Sequence, residues 1–315
     1  MPTNTFTTYD AKGNREDLSD IIYRVDPTDT PFCSSVAKVK ATATTHEWQT
    51  QALRAASTSN AVLEGMDAVI NARTGTVRLG NICQISDETA NVSGTQEVVD
   101  KAGRDKEMDY QVLLSGLELK RDMEAILLTN QAKASGDSTT ARTCASVLSW
   151  IKTNTDYNTS DGVDPAAADG TGTRTDGTQR AFTEAQLKTV LNETWASGGD
   201  PETIMLGGFN KQVMSGFVGR GTPTEDTKNK KIVAAVDLYE SDFGTLRIVP
   251  NRNNPRTRDA LILQMNMWAI ATLRNMKTID LAITGDSRQK QIITEYSLEA
   301  RNEKASGGVF DLTTS

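Results

Sequence analysis

The stretch Glu16–Leu53, EDLSDIIYRVDPTDTPFCSSVAKVKATATTHEWQTQAL, constrains the fold more than any other part of this chain. It opens with a short helical turn in which Leu18, Ile21 and Ile22 share one apolar face. Pro27 and Pro31 are then expected to stop any helix, because each fixes φ and pushes the residue before it toward extended geometry. A Thr-rich run follows and ends in an amphipathic strand, His46-Glu47-Trp48-Gln49. Fixing each backbone residue costs about 1–2 kcal/mol, and so thin an apolar segment cannot offset that alone. An ordered arm of this kind must lie on something else.

The rest of the chain is also lean in apolar material, at 37% hydrophobic and 5% aromatic over 315 residues. A thin core points to an elongated shape or to stability shared with neighbours. The net charge of −7 argues against a general nucleic-acid binder, which carries a basic excess. Cys33, Cys83 and Cys144 are far apart and lack metal spacing, which fits folding in a reducing compartment. The start, MPTNTFTTYD, shows no signal-peptide pattern, and no apolar run is long enough to span a membrane.

Composition divides the chain into regions. Residues 1–42 form the arm. Between 43 and 94 two strand-like runs flank a polar tip, Arg54–Asn60, and Gly80 in the returning run Thr76–Ile82 reads as a bulge. A long hairpin with so little to pack invites contact with another subunit. Arg104–Lys133 reads as one helix, with Val112, Leu119, Met123, Ile126 and Leu127 on the apolar face and Glu118, Arg121, Asp122 and Glu124 on others. At 1.5 Å per residue it would be a spine of roughly 45 Å. Thr153–Arg180 is rich in Thr, Asp, Gly and Ala and reads as a disordered loop. Thr183, with Gln186 three residues on, should cap a helix ending at Gly198-Gly199. A buried strand at Ile204–Leu206 should turn into a helix over Asn210–Phe217. Strands are expected at Ile232–Tyr239, Leu246–Val249 and Ala260–Leu273. Gln291–Arg301 alternates, predicting a half-buried strand with Glu295, Ser297 and Glu299 on its wet or partner-facing side.

Little of this carries chemistry. His46 is the sole histidine, and Thr50 stands where the second imidazole of an H-E-x-x-H zinc site would be. A nucleophile would have to be Cys33 or Ser34 converging on His46, without an oxyanion-forming glycine turn nearby. Asp242-Phe243-Gly244 copies a kinase triplet but lacks the other kinase loops, so it reads as a turn between strands. The Asp/Gly content of Asp156–Gly177 lacks the spacing of a calcium loop. Basic residues at Lys228–Lys231 and Arg252–Arg258 read equally as solvated loops or subunit contacts. No catalytic, cofactor-binding or metal site is expected.

The arm, with its Asp-Pro-Thr-x-Thr-Pro-Phe and Glu-Trp-Gln, resembles that of tailed-bacteriophage major capsid proteins. So do Leu148–Ile151 with Thr153-Asn154, Asp237–Arg252, Arg258–Leu263, Thr284–Ser287 and Glu299–Leu312, which together run co-linearly over nearly the whole chain. The resemblance implies an α+β, Hong Kong 97-type capsid fold. Its parts would be an arm (1–42), an extended loop hairpin (43–94), a peripheral domain with the spine helix (95–140 and 280–315) and an axial domain (141–279). It implies a non-catalytic shell subunit, assembling as pentamers and hexamers into an icosahedral or prolate head around double-stranded DNA in the host cytoplasm. Its partners would be other copies, a scaffold, a portal and an optional cement protein. Some relatives carry a scaffolding domain ahead of the arm. This chain starts with the arm, so a separate scaffold or cleavage elsewhere is expected. Others weld neighbours through Lys–Asn isopeptide bonds. The tip holds Asn60 but no lysine, which predicts non-covalent assembly. An encapsulin-like cargo shell is the alternative use of the same fold, and a hydrolase built on His46 is the reading from another class.

Overall fold

The computed structural model describes residues 26–68, 70–217 and 237–315. The expected helical turn around Leu18, the cluster Lys228–Lys231 and the first part of the strand Ile232–Tyr239 lie outside them. Helix α1 (Pro31–Ser35) is followed by strands β1 (Ala37–Lys40), β2 (Thr45–Thr50), β3 (Val77–Ile82) and β4 (Gln84–Ser93). Then come helices α2 (Gly94–Val98), α3 (Glu107–Leu128) and α4 (Val147–Trp150), strand β5 (Thr155–Asp156) and helix α5 (Glu184–Ala196). Strand β6 (Thr203–Leu206), helix α6 (Gly208–Ser215) and strands β7 (Leu238–Ser241), β8 (Gly244–Pro250), β9 (Ala260–Leu263), β10 (Trp268–Asp280), β11 (Ser287–Ala300) and β12 (Gly307–Val309) complete the fold.

Three sheets result: β1-β10-β11-β4, β5-β12-β9-β6-β8-β7, and the pair β2-β3. The expected strand Ala260–Leu273 is two strands in different sheets, separated by a 3-10 turn over Met265–Met267. Trp268, fully buried, anchors the break by donating its indole N–H to Ser306 Oγ at 3.0 Å. Sheet membership therefore crosses the expected divide at 279/280: β10 joins the sheet of β11, and β12 joins the sheet of β6 and β9. The main core bridges the two sheets, bringing Met205, Leu261 and Leu263 together with Trp150, Trp268, Tyr296 and Phe310. A second core lies under α5, around Leu187, Val190, Ile204 and Ile262. The capping box at Thr183 and Gln186 and the fully buried β6 form as the sequence predicts.

The arm does lie on something, and from Pro31 to Lys40 that support is its own chain. Residues 26–30 are non-helical, and Pro31 then opens a new helix, α1, because a first-turn residue needs no N–H donor. Phe32 is fully buried, and β1 pairs in parallel with Ala269–Thr272 of β10. The clamp is Glu124. Its carboxylate accepts from the backbone N–H groups of Phe32 and Cys33, both at 2.8 Å, and from Asn251 Nδ2 at 2.7 Å. The amphipathic reading of the spine put Glu124 on an outer face. In the fold it is fully buried, because these donors replace its water.

The spine is shorter than expected, at 22 residues and roughly 33 Å. Extended backbone at Lys106 and Thr129 ends it on both sides. Gly80 is not a bulge, since β2 and β3 pair in unbroken register from Thr45↔Ile82 to Thr50↔Val77. It allows close approach: a Cβ there would lie 2.8 Å from Glu47 Cγ. The segment expected to be disordered is tied down by ion pairs. Arg174 binds Asp164 at 2.5 Å and stacks 3.5 Å over the Phe310 ring, while Arg180 pairs with Asp156. Polar residues here bond to one another where an apolar core would otherwise be needed.

Replacing Glu124 by Ala should leave two buried amides without an acceptor and the Asn251 carboxamide with only the Met205 sulfur, costing about 3–5 kcal/mol. Urea unfolding should show that loss, with Glu124→Gln in between. An unchanged midpoint in Glu124→Ala would remove the clamp from the account.

Candidate assembly surfaces

The residues singled out for chemistry are held by other partners. His46, on β2, bonds through Nε2 to Glu299 Oε2 at 2.8 Å at the base of the hairpin. Cys33 sits on α1 with its amide on Glu124, and burial together with that carboxylate pushes its thiol far above the ordinary range. That is the opposite of an activated nucleophile. Among the described residues no group of His, Cys, Asp and Glu is arranged to hold a metal ion. The acids of the Asp/Gly-rich loop are engaged otherwise: Asp161 accepts from the Thr178 amide at 2.9 Å, and Asp169 from the Thr171 amide at 2.9 Å. Asp242-Phe243 forms the turn between β7 and β8.

The basic turn Arg252–Arg258 is turned inward at two positions. Arg256 binds Asp176 through both terminal nitrogens and Asp259 at 2.8 Å, and Arg258 binds Asp311 at 2.9 Å. At these two positions the arginines are intramolecular staples between the turn, the Asp/Gly-rich loop and the C-terminal segment, while Arg252, Pro255 and Thr257 stay exposed. Asp311 adopts φ +61 and also accepts from the Gly177 amide at 2.8 Å. Burial pushes Asp259 up to about 6, against the pull of Arg256, whereas Arg256 holds Asp176 below the usual carboxylate range.

β11 departs from its predicted alternation in an informative way. From Thr294 to Ala300 it is buried on both faces. The predicted wet face is covered by its own chain: Glu295 pairs with Arg142 and, at 2.8 Å, with Arg274, while Glu299 pairs with His46 and, at 3.0 Å, with Arg301. Nothing in a two-residue period signals Arg142, Arg274 or His46, which are distant in sequence.

What remains open is the hairpin beyond β2 and β3. Its tip leaves Leu53 (95%), Val62 (76%), Leu63 (78%) and Ile70 (96%) exposed, with polar backbone around them. Exposed apolar side chains of this size, carried together on one extended loop, point to an interaction surface. Trp48, at the base, is packed 5.3 Å from Trp150, so the hairpin leaves from a fixed root. The described surface thus combines a braced body with an unsupported apolar protrusion.

This architecture recurs in solved phage capsids. The structure shares a TM-score of 0.66 with the cyanophage A-1(L) capsid asymmetric unit, at 13% identity over 98% of this chain and 99% of that one. Mycobacterium phage Adephagia gives a TM-score of 0.61 at 11% identity over 99% of both chains. The fold is therefore the Hong Kong 97-type capsid fold. In sequence, the chain is 27% identical to the major capsid protein of Escherichia phage Phieco32, covering 97% of this chain and 96% of that one.

The pH dependence of the Arg–Asp staples has a defined sign. Asp259 holds its proton more tightly folded than unfolded, so its contribution to stability is gained as pH falls below about 6 and lost as pH rises through it. Thermal unfolding of the wild type relative to Asp259→Asn should shift in favour of the wild type between neutral and mildly acid pH. A constant difference between the two would contradict a buried, protonatable Asp259.

A profile of the SU10 major capsid protein family matches residues 1–313, spanning the arm, the hairpin and both large sheets, and the chain belongs to that family.

Proposed function

We propose that this phage major capsid protein closes as pentamers and hexamers into a head around double-stranded DNA, and that it does so without catalysis. The observation that carries the reading is the hairpin of residues 45–82, rooted on the body at Trp48 and His46 and ending in exposed Leu53, Val62, Leu63 and Ile70. Such a tip is stable only against another surface, and in a shell that surface is the next copy. The family and its curated phage relative favour a phage head over an encapsulin-like compartment. In the domain plan we assign, 1–42 is the arm and 43–94 the extended loop. The sheet of β10 and β11 with α3 forms the peripheral body, and the six-stranded sheet with α5 and α6 forms the axial body. A scaffold, a portal and an optional cement protein complete the set of partners, with assembly in the host cytoplasm and residence in the virion.

Changing Leu63 and Ile70 together to Asp should leave the unfolding temperature of the isolated chain within a degree or two, since both are exposed. Electron microscopy should then show loss of closed particles. Normal shells from that variant would refute the docking role of the tip. Mature particles boiled in detergent should run as a single monomer band. A ladder of higher bands would overturn non-covalent assembly.

A further inference from the structure

Along the outer edge of β10 three hollows meet at Asn275: one of about 350 Å³ between α1, α3 and β10, one beside β1, and one toward the far end of the strand. Their walls carry Lys38, Lys40, Lys120 and Lys277, from three separate elements. None of the four makes an ion pair among the described residues. In a chain of net charge −7, four unpaired ammonium groups along one groove form a local excess that the fold itself does not use. The largely apolar floor includes Met123, Ile270 and Met276. Because β1 pairs with β10 only as far as Thr272, residues 273–280 have no strand partner on that side among the described residues.

These features select the occupant. A groove for nucleic acid would offer aromatic platforms for bases, and this one offers methionine and isoleucine. One exposed acidic stretch of the chain itself, Val62–Asp67, is bent into a turn, with the Met66 amide donating to Leu63 O at 3.2 Å and Gly65 at φ +78. It offers no straight segment to run along the groove. We propose that the groove docks an acidic, amphipathic segment of a separate co-assembling polypeptide. Its backbone pairs with the free edge of β10, its carboxylates meet the four lysines, and its apolar side chains reach Met123 and Met276. The proposal rests on the shell-forming reading, which supplies such a partner, but the chemistry of the groove does not require a closed shell.

The probe is a fluorescein-labelled peptide of about a dozen residues alternating Glu with Val, long enough to line the edge. Its anisotropy is followed against the purified full-length chain, with a Lys-for-Glu peptide and oligothymidylate as comparators. The acidic peptide should bind and the lysine peptide should not. Lys38→Glu with Lys120→Glu should weaken binding by at least about tenfold at low salt, while Arg252→Glu leaves it unchanged. The gentler pair Lys38→Gln and Lys120→Gln, with thermal unfolding of each variant, separates lost binding from lost folding. Equal binding of both peptides, indifference to charge reversal, or displacement by oligothymidylate would overturn the proposal. So would a photo-cross-linker at Met276 that captures only other copies of this chain in particles. Sedimentation of the same samples keeps the two readings apart. Wild-type chain that binds the peptide but never closes into shells would count against the shell and leave the groove standing.

Discussion

One buried carboxylate holds the architecture together. Glu124 lies on the spine helix, yet its three hydrogen-bond donors belong to α1 and to the turn after β8. It therefore joins three parts of the chain separated by roughly a hundred residues each way. A buried carboxylate is costly unless its lone pairs are filled, and here two backbone amides at the start of α1 and one carboxamide fill them. The arm is fixed from Pro31 onward because of this contact. Phe32 reaches the main core and β1 reaches β10 as consequences of it.

The same device recurs wherever apolar material is short. Glu295 and Glu299 close one face of β11 by pairing with Arg142, Arg274, His46 and Arg301. Arg256 and Arg258, through Asp176, and Arg174, stacked over Phe310, fasten a loop with almost no aliphatic residues to the turn before β9 and the C-terminal segment. Such pairs give less net stability than hydrocarbon of equal volume, but they are demanding in geometry. A chain with few aromatics thereby gains a body whose parts hold fixed relative positions.

How much of this was legible follows from the range of each interaction. Local chemistry was read correctly: the capping box at Thr183, the short buried run before α6, and the turn at Asp242-Phe243 depend on residues a few positions apart. Longer-range effects were not. Periodicity placed Glu124, Glu295 and Glu299 outside, because charged residues at those spacings are usually solvated, and it takes partners distant in sequence, such as Phe32, Arg142 and His46, to bury them. The run Ala260–Leu273 is apolar throughout, so nothing local marks the change of sheet at Trp268, which follows from the Ser306 bond. Gly80 has two readings in a strand, and the choice depends on Glu47 across the hairpin. In the assembly surface, the thin tip and the lone histidine were visible. The lysine groove was not, because its members come from residues 38, 40, 120 and 277.

A shell subunit must be rigid enough to define an angle and compliant enough to accept neighbours at more than one curvature. The distribution of bonding in this chain separates those demands. The body is over-determined by ion pairs and by a core shared between two sheets. The hairpin is rooted by the His46–Glu299 bond, a pair of tryptophans and the buried Asn81, whose carboxamide bonds Ala145 and Leu298, then continues without a core of its own. β10 shows a milder change along one strand. It is buried from Trp268 to Ala271, slips register between Thr272 and Arg274 and again before Lys277, and ends exposed on both faces. Irregularities of that kind bend and twist a strand, yet β10 stays paired with β11 as far as Asp280, and β11 with β4. The hairpin is thus the part that starts from a fixed root and spends its length outside the core, so curvature can be absorbed there without repacking the body.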